Sequence, residues 1–133
     1  MKFRPLTVAA IAIVFLSLAC ARADRPSKSD VDSLVKTIPL QDLVIEKTEG
    51  AGTDKNGRYT IGAWGQAKDG GEPLNLYAVL IFDKSDKGWT GHIPAYGLVA
   101  QPVKEKDKDA FYQSTRTDWE KLKVDIKNGK AAD

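Results

Sequence analysis

The sequence predicts a single α+β domain, with a short N-terminal helix, a four- or five-stranded antiparallel meander and a C-terminal amphipathic helix. Apolar residues recur at helical spacing over 31–38 and 111–126. Between these stretches, short alternating runs are separated by turn sequences rich in Gly, Asn and Asp. A sheet flanked by helices lets each element bury one face. The domain is expected to span 29–129, between a flexible leader at 24–28 and a tail at 130–133.

Residues 1–23 are predicted to be a cleavable signal peptide. Lys2 and Arg4 give a positive start, an apolar run follows over 6–19, and the Ala-Arg-Ala triplet at 21–23 provides an A-x-A cleavage site. The apolar run is shorter than the ~20 residues that a membrane-spanning helix needs. We therefore expect a periplasmic or secreted protein with no transmembrane segment in the mature chain.

Cys20 leaves a second mode of export open. A lipoprotein signal ends in a cysteine that becomes acylated, and it usually has a leucine three residues before that cysteine. Here Leu18 lies only two residues before Cys20, so the leucine is out of place. In this alternative the protein would be lipid-anchored at the outer membrane through Cys20. If cleavage follows Ala23 instead, the mature chain has no cysteine for a disulfide, a thiolate metal site or a nucleophile.

The charge balance limits the partners to be expected. Three of the 20 basic residues precede Ala23, whereas all 18 acidic residues follow it. The mature domain has no basic excess, so binding to nucleic acid or to an anionic membrane surface is not expected. A domain of this size without disulfides depends on its core alone, which is more typical of the bacterial periplasm than of animal secretions.

The two helices are defined by caps and stops. Ser29 is predicted to cap the first helix, because Asp32 follows at capping-box spacing, and Pro39 is predicted to end it. The second helix is expected to begin at Asp107 or Asp109 and to end near Lys127, before an Asn-Gly pair. Its apolar stripe repeats in steps of three and four residues: Phe111, Thr115, Trp119, Leu122 and Ile126.

The strands are defined by alternation and by turn residues. Strands are predicted over 43–49, 58–67, 74–82 and 88–93, with a short fifth over 96–100. The third run is apolar on both faces near its end, so it is expected to be central, with Leu80 and Phe82 in the core. Pro94 has no N–H, so it should either end the fourth strand or place it at a sheet edge.

Hairpin symmetry predicts which residues share a face of the sheet. Closing the second hairpin at its Gly-Gly pair sets Trp64 opposite Tyr77, and closing the third at 85–86 sets Val79 opposite His92. One face is uniformly apolar and is expected to form the core against both helices. The other face is mixed and carries all four of these residues.

The mixed face is predicted to be a binding surface formed by Trp64, Tyr77, Val79 and His92. Paired aromatic rings offer a broad contact area, while the indole, phenol and imidazole supply directional polar groups. The imidazole would also make binding respond to pH between about 5 and 8. The competing interpretation is that the C-terminal helix, or the segment 96–100, covers this face.

No catalytic, metal or cofactor site is predicted. His92 is the only histidine, and no nucleophile or orienting carboxylate accompanies it in a recognisable pattern. The loops 54–57 and 83–88 lack the spacing of a calcium loop and its bidentate Glu, so they are expected to be hairpin turns. The glycines at 62, 65, 70 and 71 do not form a phosphate-binding loop.

These features favour an exported, non-catalytic binding or interaction domain of the bacterial cell envelope. Its partner would be a protein or small ligand of the envelope, and the sequence does not define the ligand or the oligomeric state. A secreted protein inhibitor or a surface structural factor is the alternative. A small hydrolase, which would need His92 or a carboxylate pair in a concave pocket, is the third hypothesis.

Overall fold

The computed structural model describes residues 25–101 and 105–130 of the chain. The predicted signal peptide, Cys20 and the end of the predicted tail lie outside the described residues. The chain forms six elements: α1 (Lys28–Val35), β1 (Gln41–Thr53), β2 (Tyr59–Asp69), β3 (Glu72–Ser85), β4 (Gly88–Ala100) and α2 (Glu105–Lys127). The strands form one antiparallel sheet in the order β1-β2-β3-β4. The predicted α+β fold is confirmed, with four strands.

Helix α1 begins earlier than predicted because Ser27, not Ser29, caps it. The Ser27 hydroxyl accepts a hydrogen bond from the Asp30 N–H at 3.1 Å, and the Asp30 carboxylate accepts one from the Ser27 N–H at 2.8 Å. Pro26, which is buried, stands immediately before the cap, the position from which an apolar residue often packs against the fourth helical residue, here the buried Val31. This staple is available only when the helix begins at the earlier of the two capping boxes.

Helix α1 packs on the face of the sheet that was predicted to be uniformly apolar. The buried cluster there consists of Val31, Val35, Ile61, Ala63, Ala78, Leu80 and Phe82. Leu80 and Phe82 are almost completely buried on β3, a central strand, as predicted. This face supplies the larger share of the apolar core.

Helix α2 packs on the opposite, mixed face, so the expectation that both helices share one face is wrong. Trp119 of α2 is fully buried, and its ring lies directly over Gly62 of β2. A Cβ at position 62 would lie 2.8 Å from this ring, so the missing side chain is what lets the helix approach the sheet. The molecule therefore has three layers, with the sheet between α1 and α2.

The hairpin between β2 and β3 has the predicted register. Tyr59 pairs with Phe82 and Trp64 pairs with Tyr77, and no irregularity interrupts the ladder. The two turn residues, Gly70 and Gly71, both have positive φ, which a two-residue type I′ turn requires and which glycine adopts without strain. The Gly-Gly pair thus determines the register across the centre of the sheet.

The register between β3 and β4 differs from the prediction. The turn lies one residue later, at 86–87, because Gly88 adopts a φ of 118° directly after it. An irregularity then shifts the pairing again, so that Val79 faces Ala95 and Ile81 faces His92. The predicted pair of Val79 and His92 is therefore wrong, although both residues remain on the mixed face.

The predicted fourth and fifth strands are one continuous strand, β4. Pro94 does not end the strand, because β4 lies at the edge of the sheet and the register shift occurs opposite Pro94. Of the two predictions for Pro94, that it ends the strand or that the strand lies at a sheet edge, the second is confirmed. Helix α2 ends at Lys127, before Gly129 at a φ of 88°, as predicted from the Asn-Gly stop.

Candidate functional site

The structure brings two of the four predicted binding residues into contact. Trp64 of β2 and Tyr77 of β3 form a cross-strand pair, and their rings stack with centroids 5.4 Å apart and an interplanar angle of 29°. Val79 follows on the same face of β3, opposite Ala95. His92 lies on the same face of β4, opposite Ile81 and exposed.

Helix α2 covers Trp64. The Trp64 indole N–H donates to the Thr115 hydroxyl at 3.0 Å, and the Trp119 ring meets the Trp64 ring edge to face at a centroid distance of 6.1 Å. Tyr112 lies on a further side of the same ring, at 5.7 Å. Only 5% of Trp64 is exposed. Trp64 is therefore covered by the C-terminal helix, as the competing interpretation expected, and is not part of an open surface.

The stripe predicted on α2 is the one that contacts the sheet. Trp119 and Ile126 are buried, and Phe111, Thr115 and Leu122 are half-buried. Thr115 serves both elements, because its hydroxyl accepts from Trp64 and donates to the carbonyl oxygen of Phe111 at 2.9 Å. The helix is thus oriented by a polar contact as well as by apolar packing.

An ionic cluster that the sequence did not indicate fixes α2 to β1. The Glu49 carboxylate of β1 lies 2.7 Å from the Arg116 guanidinium and 2.6 Å from the Lys123 ammonium, and it accepts a hydrogen bond from the Trp119 indole at 2.6 Å. Glu120 completes the cluster, 2.7 Å from Arg116 and 3.1 Å from Lys123. The sequence does show that residues 116, 120 and 123 have the spacing of one helix face. Nothing in the sequence near Glu49 indicates that it is their partner.

The hydrogen bonds to Glu49 alter its acidity. The hydrogen bond from Lys123, followed by those from Trp119 and Arg116, holds the pKa of Glu49 at about 2, well below the ordinary 4.5, although burial alone would raise it. Glu49 is therefore ionised throughout the physiological range. Its arrangement is that of a structural anchor, because all of its partners belong to the helix that it holds.

Lysine and tyrosine make a second contact between β1 and α2. The Lys47 ammonium donates to the Tyr112 hydroxyl at 2.6 Å and lies 4.9 Å from the centre of the same ring. Lys47 pairs with Trp64 across β1 and β2, so this contact closes over the aromatic group. Trp64 is thus enclosed from β1, from β3 and from α2.

Among the described residues, nothing encloses the part of the mixed face on β3 and β4 in this way. We call it the β3–β4 surface, formed by Tyr77, Val79, His92, Ala95, Gly97 and Val99. Tyr77 and Val79 are half-buried, and the four residues of β4 are exposed. Tyr77 faces Gly97 and Val79 faces Ala95 across the two strands. Because both of the β4 residues are small, they leave the larger side chains of β3 accessible.

Tyr77 contributes a hydroxyl group at the border of this surface. Burial, with a smaller contribution from the negative charge of Asp118 on α2, raises the pKa of Tyr77 to about 12. The phenol is therefore protonated near neutral pH and is able to donate a hydrogen bond. It adds one directional group to a surface that otherwise offers aliphatic side chains, the His92 imidazole and backbone.

No family model, curated protein sequence or solved structure matches this chain.

The described part of the chain has neither a membrane-spanning helix nor a metal-binding cluster. Neither of its helices has the length and hydropathy needed to cross a membrane. Among the described residues, no three or more His, Cys, Asp or Glu side chains are grouped so as to hold a metal ion. The loop at 54–57 is a turn: the Asp54 carboxylate accepts hydrogen bonds from the N–H groups of Asn56 and Arg58 at 2.8 and 3.1 Å.

One cavity adjoins the aromatic group between α2 and the sheet. Its volume is about 160 Å³, and Trp64, Tyr112, Gln66 and Asn75 contribute to its lining. Pockets for drug-sized molecules and cofactors usually hold ~300–1,000 Å³, so this cavity is small for such a ligand. The β3–β4 surface is open to a larger partner and remains the candidate site.

Proposed function

We propose that this chain is an exported, non-catalytic binding domain of the bacterial cell envelope, and that the β3–β4 surface is its binding site. The observation that carries the proposal is the incomplete cover of the mixed face. Helix α2 buries Trp64 on β2, whereas His92, Ala95 and Val99 on β4 are exposed. The predicted site is thus displaced towards β4, away from Trp64.

The chemistry of this surface suits contact with a partner. It offers aliphatic and aromatic groups together with the Tyr77 hydroxyl and the His92 imidazole, and none of its six residues has a carboxylate, ammonium or guanidinium group. Cores of protein interfaces are likewise poor in charged residues and enriched in tyrosine. A protein of the envelope, or a small ligand with an apolar portion, would find matching groups there.

The two alternative functions, an inhibitor or structural factor and a hydrolase, can be separated from a ligand-binding domain. A secreted inhibitor or surface structural factor would engage a macromolecule through the same surface, so the identity of the captured partner separates it from a ligand-binding domain. A hydrolase would place a general base in a concave, water-restricted pocket. His92 is exposed on an edge strand, which supports a binding role over a hydrolytic one.

The proposal is tested by capture from an envelope extract with matched variants. Val79→Lys places a charge in the middle of the β3–β4 surface, and Val124→Lys places the same charge on an exposed valine of α2. Native mass spectrometry identifies what each protein retains. We expect wild type and Val124→Lys to retain the same partner and Val79→Lys to lose it while it remains folded, as judged by circular dichroism.

Two outcomes would contradict the proposal. Equal retention by Val79→Lys and wild type would place binding elsewhere on the molecule. Failure of the folded wild-type protein to retain any protein or small molecule from the extract would remove the binding function itself.

A further inference from the structure

Strand β4 is a long edge strand without a charged residue. All 13 residues of β4, Gly88–Ala100, lack carboxylate, ammonium and guanidinium groups, in a chain in which 29% of residues are charged. The other edge strand, β1, carries Asp42, Glu46, Lys47 and Glu49. Edge strands are usually protected from pairing with another chain by charges, bulges or proline. The two edges of this sheet therefore differ in how well they are protected.

The protection that β4 has is confined to its first half. Pro94 lacks an N–H, and the register shift lies in the same region. From 95 to 100 the strand pairs with β3 without interruption and contains no proline. Within the described ranges, no strand lies on the other side of β4. This half therefore presents a regular row of backbone groups at the sheet edge.

Apolar side chains are exposed on both faces of this half. Tyr96 pairs with Ala78 of the apolar face, and Val99 pairs with Asn75 of the mixed face. Tyr96 is 45% exposed and Val99 is 48% exposed. A partner lying on one face would cover only one of them. A strand added at the edge would lie ~4.8 Å away and place side chains beside both.

We propose that β4 pairs antiparallel with β4 of a second copy of this chain, so that the two sheets join into one. This inference goes beyond the proposed binding function, which uses one face of the sheet rather than its edge, although Val99 belongs to both surfaces. A two-fold axis perpendicular to the sheet makes each face continuous from one copy to the other. Residues that lie on the same face therefore become neighbours across the joint. Tyr96 then meets Leu98 or Ala100 of the second copy, and in the same two registers Val99 meets Ala95 or Gly97.

Every pairing in these registers is uncharged, which favours a second copy as the occupant. A strand of typical surface composition would bring charged side chains next to Tyr96 and Val99 and leave them beside apolar groups. The predicted mature chain has nearly equal numbers of basic and acidic residues, so two copies do not repel each other strongly. Two-fold dimers are also the commonest form of symmetric assembly.

Three exposed valines provide a matched test. Val99→Lys puts a charge on β4, Val44→Lys puts one on β1 and Val124→Lys puts one on α2, at sites exposed by 48%, 58% and 54%. The protein is expressed as the full chain, and its mass is measured by light scattering across a concentration series. We expect a wild-type dimer whose dissociation constant rises at least about tenfold in Val99→Lys, which corresponds to about 1.4 kcal/mol. The other two variants should dimerise as wild type does.

Hydrogen exchange identifies the surface independently of the substitutions. Amides of 95–100 should become more protected as the concentration of wild-type protein rises, and those of β1 should not. The proposal is overturned if the wild-type protein stays monomeric throughout the series. It is equally overturned if Val44→Lys dissociates the dimer and Val99→Lys does not, or if the protection of 95–100 is independent of concentration. None of these three results decides the Val79→Lys capture experiment, because Val79 lies on the central strand β3 and not at the sheet edge.

Discussion

The Glu49 carboxylate of β1 accepts a hydrogen bond from the Trp119 indole of α2 at 2.6 Å. The same carboxylate also contacts Arg116 and Lys123, so one residue of the sheet binds three residues of the helix. Trp119 in turn fills the space above Gly62. The position of α2 thus depends on one acidic residue and one missing side chain.

Glu49→Gln should destabilise the protein. The amide can still accept from the Trp119 indole, but it loses both ion pairs, so that, among the described residues, Arg116 and Lys123 keep only Glu120 as an acidic partner. We expect a loss of about 1–3 kcal/mol in the free energy of unfolding, measured by urea titration at neutral pH. Glu46→Gln, an exposed substitution on the same strand, is the control and should change stability by less than about 0.5 kcal/mol. Equal effects of the two substitutions would contradict an anchoring role for Glu49.

The contribution of Glu49 should also depend on pH. Its pKa is lowered from 4.5 to about 2 in the folded protein, so the folded state favours the ionised form. The resulting stabilisation is fully present above about pH 5 and is lost as the pH falls towards about 2. The difference in unfolding free energy between wild type and Glu49→Gln should therefore shrink across this range. A difference that stays constant down to about pH 2 would show that the carboxylate charge does not matter.

Trp64→Ala should cost about 3–5 kcal/mol in unfolding free energy, because a large buried ring is removed from the interface between α2 and the sheet. Trp64→Phe retains much of the ring but loses the hydrogen bond to Thr115, so it should cost less. Val124→Ala is the control, since 54% of Val124 is exposed on α2. If Trp64→Ala melts at the wild-type temperature, Trp64 is not part of the core and returns to the candidate binding surface.

Gly62→Ala should destabilise the protein by about 1–3 kcal/mol, because the added methyl group meets the Trp119 ring in a fully packed space. Gly97→Ala is a matched control on β4, where a Cβ has no neighbouring atom within 4 Å. Thermal unfolding followed by circular dichroism compares the two. A stable Gly62→Ala protein would mean that α2 can move away from the sheet without cost.

The sequence predicted local features better than the packing of α2. Positive φ at Gly70 and Gly71 is a local property, and it sufficed to predict the central register. The side of the sheet that α2 covers could not be predicted, since Gly62 in an alternating strand does not show that Trp119 will fill its place. The anchoring role of Glu49 was missed for a related reason, because it depends on residues far away in the sequence.

The candidate site was only partly predictable. The register across β2 and β3 placed Trp64 beside Tyr77, as observed. Val79 and His92 were assigned to the correct face but to the wrong pairing, because Gly88 shifted the turn and the irregularity near Pro94 shifted the ladder again. Whether Tyr77, Val79 and His92 bind a partner stays a prediction.

The long separation between Glu49 and Trp119 has a consequence for the order of folding. These residues are 70 positions apart, whereas each hairpin closes over a short turn. The entropic cost of closing a loop rises with its length, so we expect the meander to form first and α2 to dock last. Helix α2 is also synthesised after all four strands. A nascent chain would thus carry an uncovered Trp64 until α2 has been synthesised, and this interval is when it would most need protection by a chaperone.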